Sequence, residues 1–211
     1  MPGSGGAAAK RALDVAVAGV VLLAALPVLA LAALAVLAED GPPVLFVQPR
    51  AGRGGRTFRV LKFRTLRVHG LAAHRMPQVR SSDPLVTRVG AVLRRLKIDE
   101  LPQLVNVLRG EMSLVGPRPT LPDQVAAYDA FQRRRLEVRP GITGWAQVNG
   151  NTELSWEERI LLDVWYVDHR SLGLDLAVLV RTAGVVLRGE RVRGGALEQA
   201  RMHAVGTGRR G

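Results

Sequence analysis

The chain has 211 residues and a formal net charge of +12, from 30 basic and 18 acidic side chains. That length suits one domain with an additional anchor and is enough to bury a core. The charge favours anionic partners, namely acidic lipid headgroups, phosphorylated substrates or nucleic acid. Because the sequence contains no cysteine, disulfides, thiol nucleophiles and cysteine-based metal sites are excluded.

The first predicted element is an apolar segment, residues 15–38, which has no charged side chain in 24 residues. As one helix they would extend about 36 Å, which is enough to cross a bilayer core of about 30 Å. A cleaved signal peptide fits less well, because its apolar core usually has about 7–15 residues. Pro27 lies near the middle, where it removes a backbone donor and predicts a kink or a break.

Basic residues flank this segment on both sides, and such residues are retained on the cytoplasmic side of a membrane. Lys10 and Arg11 precede it, and six more follow it: Arg50, Arg53, Arg56, Arg59, Lys62 and Arg64. A straight span and a re-entrant hairpin both remain open, and the charge distribution favours the hairpin. We therefore predict a disordered N-terminus at residues 1–9 and a re-entrant helix–break–helix at residues 10–40, with both ends in the cytoplasm.

Residues 41–192 are predicted to form a compact domain that is α+β and mostly helical. Within it, residues 44–66 alternate Val, Phe and Leu with polar residues around a Gly/Arg turn, which predicts a small β-hairpin. Residues 67–82 carry turn residues and little periodicity, which predicts a loop or a broken helix. Apolar residues at helical spacing predict a helix over residues 87–96.

Further helices are predicted over three ranges: 123–137, 155–167 and 172–187. Ser155 is expected to be the N-cap of the second of these helices, because Glu158 follows three residues later and completes a capping box. The third range is largely apolar, and a core helix is favoured over a membrane-interface helix. Residues 193–211 are rich in Gly and Arg and are predicted to be disordered.

Two adjacent carboxylates, Asp99 and Glu100, come directly before the run "LPQLVNVL". Asp99 is predicted to cap a helix there, with Pro102 tolerated in its first turn. The helix dipole would keep this carboxylate ionised, which is the state that a carboxylate nucleophile needs. Glu100 suits a hard cation such as Mg²⁺, which takes one or two carboxylates plus substrate phosphates. Taken alone, the pair is more simply an ordinary helix cap followed by a helix-start glutamate.

The neighbours of the acid pair supply cations and rigid turns. Arg94, Lys97 and Arg118 would offset phosphate charge near the pair. Arg118 lies between two prolines in "GPRP", and its guanidinium suits bidentate recognition of phosphate. A second Arg-Pro-Gly turn opens "RPGITGWAQVNG" (139–150), although two such turns are also compatible with structural corners. Four scattered histidines and no cysteine favour an oxygen-ligated Mg²⁺ site over a zinc site.

Eight pieces in chain order carry a family resemblance: "KRALDVAVAG", the apolar segment with its central proline, "GPPVLFVQPRAGRGGRTFRVLKFRTL", "DPLVTRVGAVLRR", "KIDELPQLVNVLRGEMSLVGPRP", "RPGITGWAQVNG", "SWEERILLDVWYV" and "SLGLDL". Together they cover residues 10 to about 192. The chain resembles the bacterial sugar transferases that are small monotopic phosphoglycosyl transferases, also called polyprenyl-phosphate sugar-1-phosphate transferases. Because it lacks the multi-span N-terminal domain of long family members, the small standalone form is expected.

The resemblance implies that Asp99 attacks the β-phosphate of a UDP-sugar, expels UMP and forms a phosphosugar-aspartyl intermediate. Polyprenyl phosphate, normally undecaprenyl phosphate, then accepts the sugar 1-phosphate and so initiates the assembly of a membrane-linked glycan. Asp99 and Glu100 are thus the implied catalytic residues, and Glu100 is the implied Mg²⁺ ligand. The implied substrate-binding or site-lining residues are Lys62, Arg64, Arg94, Arg118 and Asp163. The implied location is the inner membrane, with a catalytic domain at residues 41–192, including interface helices, on its cytoplasmic face.

The implied partners are a UDP-sugar, polyprenyl phosphate and membrane lipid, with a second copy of the chain or downstream glycosyltransferases as further candidates. Nucleic acid is not expected, because no aromatic residues are interleaved with the basic ones. The sequence departs from the family pattern at Leu26-Pro27, where Ser-Pro is usual, and at residues 67–82, which lack the usual acidic residues. Two other function classes use the same features: a membrane diphosphatase with water as acceptor, and a basic adaptor that binds acidic lipid or nucleic acid.

Overall fold

The computed structural model describes residues 4–67, 83–189, 192 and 194–207. Helix α1 spans Ser4–Asp40, and strands β1 (Leu45–Ala51) and β2 (Thr57–Phe63) follow it as an antiparallel hairpin. The turn between the strands contains Gly54 at φ +65° and Gly55 at φ +77°, a backbone conformation that favours glycine. The predicted hairpin is therefore confirmed. The loop predicted over residues 67–82 lies, apart from Arg67, outside the described residues.

The rest of the described chain is mostly helical, which confirms the predicted α+β class. Strands β3 (Ser113–Val115) and β4 (Gly141–Thr143) add one short parallel pair. The helices are α2 (Arg88–Arg95), α3 (Gln103–Leu108), α4 (Pro122–Ala126), α5 (Ala130–Arg133), α6 (Trp145–Val148), α7 (Trp156–His169), α8 (Leu172–Arg188) and α9 (Gly194–Gly206).

Three predicted helices are confirmed as α2, α7 and α8. Helix α7 starts with the expected capping box, in which the Glu158 backbone donates to Ser155 Oγ at 3.2 Å and the Ser155 backbone donates to the Glu158 carboxylate at 2.9 Å. The single helix predicted over residues 123–137 is wrong. Asp129 accepts a hydrogen bond from the Gln132 backbone at 2.7 Å and so caps a new helix, which divides this range into α4, α5 and a final 3₁₀ turn.

The main core includes residues of helices α3, α7 and α8, together with others from α6 and the strands. Val107, Met112, Leu162 and Val178 have no exposed surface there, so each of these helices buries one apolar face. The predicted core helix over residues 172–187 thus contributes to the core, while Val180 and Leu187 on its other side are exposed.

Helix α9 differs from the disorder predicted for residues 193–211. It packs against α7 and buries Leu197, Ala200 and Ala204. The Gly/Arg-rich composition concealed this apolar stripe, whose spacing of three and four residues is that of one helix face. Residues 4–9 likewise belong to α1 rather than to a separate N-terminal segment.

The N-terminal part of α1 is attached to the rest of the protein by its charged residues. Lys10 Nζ lies 2.7 Å from the Asp175 carboxylate of α8, and Arg11 donates to the Val107 carbonyl of α3 at 2.7 Å. Asp14 accepts a hydrogen bond from the Leu114 backbone at 3.1 Å. This end of the helix is therefore held against the core.

The C-terminal part of α1 contacts the same body. Ala32 and Val36 pack against Phe63 of β2 and Leu93 of α2 in a second apolar cluster. Both ends of α1 are thus in contact with one globular unit.

The middle of α1 presents large apolar side chains outward. Val20, Leu23 and Leu31 are 67%, 69% and 68% exposed, and the helix is long and apolar enough to cross a membrane by length and composition. The helix continues through Pro27, so the predicted break is not present in the structure. The re-entrant arrangement of residues 10–40 stays a prediction.

Single cysteines near Ser4 and near Gly208 test the topology, because the chain has no cysteine of its own. We expect neither site to react with a membrane-impermeant thiol reagent on intact cells, and both to react once the membrane is opened. A cysteine near Ser4 that labels in intact cells, while the one near Gly208 does not, would mean that α1 spans the bilayer.

Candidate active site

Asp99 and Glu100 lie in a single 3₁₀ turn, Ile98–Glu100, between α2 and α3. The turn follows Lys97, whose φ of +57° reverses the chain after α2. Helix α3 begins only at Gln103, after Pro102, and Asp99 is not its cap. The predicted helix cap at Asp99 is therefore wrong, because the reversal at Lys97 leaves room for one tight turn before the helix.

Glu100 is held by two cations from separate elements. Lys62 Nζ of β2 lies 2.6 Å and Arg118 Nη2 lies 2.9 Å from the same oxygen, Glu100 Oε1. Burial raises the pKa of Glu100, but Arg118 and Lys62 outweigh it and lower the pKa below its usual value. Burial lowers the pKa of Lys62, and the charge of Glu100 opposes that shift. The Glu100 carboxylate is therefore fixed in place as an anion.

Asp99 has a different environment from its neighbour. It is 9% exposed, and its Oδ1 is buried without a hydrogen-bond partner. Burial, and next the charge of Glu100, raise the pKa of Asp99 to about 6, against the opposing charges of Lys62, Arg94 and Lys97. The expectation that a helix dipole keeps Asp99 ionised is wrong, since no helix starts there. The ionised form still predominates at neutral pH, and it is poorly solvated.

Two arginines complete the positive surroundings of the acid pair. Arg94 donates from Nε to Thr65 Oγ1 at 2.8 Å, and Asp99 opposes the lowering of the Arg94 pKa by burial. The sequence predicts Arg50 only as a basic residue that follows the apolar segment, and not as part of the site. Burial, and next the charge of Arg118, lower the pKa of Arg50 to about 10, with Glu100 opposing.

The alternation of side chains along β1 is the sequence pattern that places Arg50 on the same face as other site residues. Gln48 and Arg50 are two residues apart and therefore lie on one face, and the Arg50 guanidinium lies 2.5 Å from Gln48 Oε1. Lys62 stands opposite Phe46 in the hairpin and shares that face. One face of the hairpin therefore carries Arg50, Gln48 and Lys62 together.

The side-chain hydrogen bonds of Arg64 lie at the end of α1, and its role in lining the site stays a prediction. Its Nη2 donates to the carbonyls of Asp40 and Gly41 at 2.8 and 2.7 Å and lies 3.0 Å from the Asp40 carboxylate. These contacts of Arg64 hold the C-terminal end of α1, and none of them reaches the acid pair.

Asp163 acts on the site through another residue. It is 1% exposed and forms an ion pair with Arg135. Arg135 also donates to the Arg118 carbonyl at 3.1 Å and to Tyr128 Oη at 2.7 Å. Burial raises the pKa of Asp163, and Arg135 opposes that shift. Through Arg135, Asp163 supports the backbone of Arg118, while its own Oδ1 is buried without a hydrogen-bond partner.

A cavity of about 330 Å³ opens beside the acid pair. Glu100, Lys97 and Arg118 provide charge on its wall. Helices α1 and α8 provide apolar walls through Val17, Val21, Leu179, Val185 and Val186. The cavity therefore suits a ligand with an apolar chain and an anionic end.

The acid pair could hold a Mg²⁺ ion only in a site where the protein provides one or two ligands and the substrate provides the others. Within the described residues, no group of three or more His, Cys, Asp or Glu side chains is arranged to hold a metal. Asp99, which has an unpartnered oxygen, and the adjacent anionic Glu100 together supply two carboxylates. Mg²⁺ is commonly held by one or two carboxylates together with substrate phosphates, so these residues are compatible with it.

Comparison with known proteins decides the family. The bacterial sugar transferase family matches residues 6–189 of the chain. The chain belongs to this family. It is of the polyprenyl-phosphate sugar-1-phosphate transferase type, which confirms the resemblance drawn from the motifs.

Three relatives illustrate this membership. The sugar transferase EpsL of Bacillus subtilis is 46% identical over 186 residues, which are 87% of this chain and 90% of that protein. The undecaprenyl-phosphate glucose phosphotransferase of Komagataeibacter xylinus is 45% identical over 82% of this chain, but the match covers 35% of that longer protein. The UDP-glucose:undecaprenyl-phosphate glucose-1-phosphate transferase of Caulobacter vibrioides is 42% identical, over 84% of this chain and 69% of that protein.

Replacing Asp163 with Asn tests its structural role. The substitution leaves the buried Arg135 charge without its anion, so we expect the free energy of unfolding in detergent to fall by about 3–5 kcal/mol. Glu198→Gln is the control, since Glu198 pairs with Arg201 in an exposed position and its substitution should cost about 1 kcal/mol or less. Equal unfolding free energies for the two variants would contradict the support role of Asp163.

Proposed function

We propose that the protein transfers sugar 1-phosphate from a UDP-sugar to polyprenyl phosphate, with release of UMP, and so initiates a membrane-linked glycan on the cytoplasmic face of the inner membrane. The single observation that carries this proposal is the contrast between the two adjacent acids. Asp99 is buried with an unpartnered oxygen, whereas Glu100 is fixed by Lys62 and Arg118.

The first half of the reaction is a displacement at the β-phosphorus of the UDP-sugar. An ionised Asp99 oxygen forms a bond to this phosphorus as the bond to the oxygen bridging the two phosphates breaks, and UMP leaves with that oxygen. A poorly solvated carboxylate suits this step, because little water must be removed before it attacks. Arg118 and Lys62 would stabilise the phosphate charge. Arg50 would add to this effect, because it is close enough to Arg118 for the charge of Arg118 to lower its pKa.

The second half returns the enzyme to its starting state. A phosphate oxygen of polyprenyl phosphate attacks the same phosphorus, the bond to Asp99 breaks, and the carboxylate is restored. The cavity beside Glu100 and Arg118 supports this step, since α1 and α8 line it with apolar side chains that suit an isoprenoid chain. The Komagataeibacter and Caulobacter relatives are both named as transferases that act on undecaprenyl phosphate, which supports the choice of acceptor.

A Mg²⁺ ion is part of the proposal. Glu100 would hold it, with Asp99 adjacent, and the ion would neutralise phosphate charge when bound. The chain's own contribution is to keep Glu100 ionised through Lys62 and Arg118, so that a carboxylate is ready whether or not substrate is present.

The nucleophile is tested by mass spectrometry of the intact protein after incubation with UDP-sugars and no acceptor. We expect the mass to increase by one sugar phosphate, and Asp99→Asn to remove this adduct because the amide cannot form the acyl phosphate. Asp123→Asn, at an exposed position of α4, is the control and should keep the adduct. An adduct that persists in Asp99→Asn would overturn the assignment.

The metal is tested by chelation. We expect excess chelator to abolish UMP release and added Mg²⁺ to restore it, and we expect Glu100→Gln to raise the Mg²⁺ concentration required for half-maximal rate by at least about tenfold. Full activity in chelator would remove Mg²⁺ from the proposal. Appearance of free sugar phosphate instead of a polyprenyl-linked product would indicate a diphosphatase.

A further inference from the structure

Gln147 of α6 has a buried amide with no partner in the protein. The residue is 9% exposed, and neither Oε1 nor Nε2 makes a hydrogen bond. Leaving both groups of an amide unpaired in the interior is costly, and buried polar groups are nearly always hydrogen-bonded. The side chain therefore has one donor group and one acceptor available for a ligand.

The amide belongs to the cavity beside the acid pair, whose wall includes Gln147. The neighbouring hydroxyls of that wall are already paired, because Thr143 Oγ1 and Thr182 Oγ1 lie 2.7 Å apart and Thr182 donates to the Val178 carbonyl at 2.8 Å. Gln147 is thus distinct among these side chains in having both its polar groups unsatisfied.

Backbone packing fixes Gln147 relative to the turn that carries Arg118. Helix α6 starts after Gly144, and a β-carbon on Gly144 would lie 2.1 Å from the Gly116 carbonyl oxygen and 2.7 Å from Gln147 Oε1. Glycine is therefore required there for the two backbones to approach. Gly116 is two residues before Arg118, so this contact links the position of the amide to that of the guanidinium.

The character of the cavity identifies the ligand group. Its apolar walls from α1 and α8 suit a hydrocarbon chain, and an amphiphile with such a chain has its polar atoms at the headgroup. A phosphate monoester offers acceptor oxygens, and in its singly protonated form it also offers a donor, because its second pKa is about 6. This combination matches the NH₂ and C=O groups of one amide.

We propose that Gln147 binds the phosphate headgroup of the polyprenyl phosphate acceptor and contributes to its selection in the second half-reaction. This inference rests on the proposed function. It assigns to Gln147 a role in acceptor binding and none in the attack of Asp99 on the UDP-sugar.

The test compares the two half-reactions in Gln147→Met, which keeps the shape of the side chain and removes both polar groups. We expect the KM for polyprenyl phosphate to rise about tenfold or more, which is the effect of losing hydrogen bonds to a charged group. Formation of the phosphosugar adduct from UDP-sugar alone should be unchanged. Gln147→Glu should raise the acceptor KM further, because it places a negative charge against the phosphate.

The matched control is Gln103→Met, since Gln103 of α3 is also a buried amide with an unpartnered Nε2 but does not line the cavity. It should leave the acceptor KM unchanged. A ten-carbon polyprenyl phosphate is the second probe: recognition of the headgroup predicts the same fold-change in KM for short and long chains. If Gln147→Met does not fold, Gln147→Asn, which keeps the amide but shortens its reach, is assayed in the same way and should also raise the acceptor KM.

An unchanged acceptor KM in a folded Gln147 variant overturns the proposal, and so does an equal loss in both half-reactions. A loss confined to the long-chain acceptor also overturns it, because it would indicate recognition of the chain. Failure of the proposed function is distinguishable from all of these, since the unsubstituted protein would then form no adduct and release no UMP.

Discussion

The arrangement of the site depends on one interaction, the contact of Glu100 Oε1 with both Lys62 and Arg118. It joins three parts of the chain that are distant in sequence: the hairpin, the turn before α3 and the "GPRP" turn. Because both cations use the same oxygen, the carboxylate cannot rotate without losing one of them. The fixed negative charge then acts on Asp99, whose pKa it raises together with burial. Two acids of similar chemistry thereby acquire different properties from their surroundings.

Two sets of contacts fix the position of Arg118, one through Arg135 and one through strand β4. Arg135 donates to the Arg118 carbonyl and is held by the buried Asp163. Beside it, a β-carbon on Gly141 would lie 2.1 Å from the Gly116 nitrogen, so only glycine permits β4 to approach this turn. The two Arg-Pro-Gly and Gly-Pro-Arg turns are therefore structural corners and also supports of the site. The sequence alone is compatible with either role.

Local patterns were sufficient for part of this structure. The alternation in residues 44–66 and the capping box at Ser155 specify the hairpin and α7, because both depend on neighbours within a few residues. The division of residues 123–137 and the docking of α9 depend on partners elsewhere. For the site, the acid pair and Arg118 were found from the sequence. Arg50 was not, because 27 of the 30 basic residues are arginine and composition does not distinguish one from another.

Helix α1 belongs to the site as much as to the anchor. Its Val17 and Val21 form part of the cavity wall, while Leu23 and Leu31 point away from the protein. Lys10 and Arg11 hold this end of α1 against α8 and α3. One helix thus presents apolar side chains both to the cavity and to the outside of the protein.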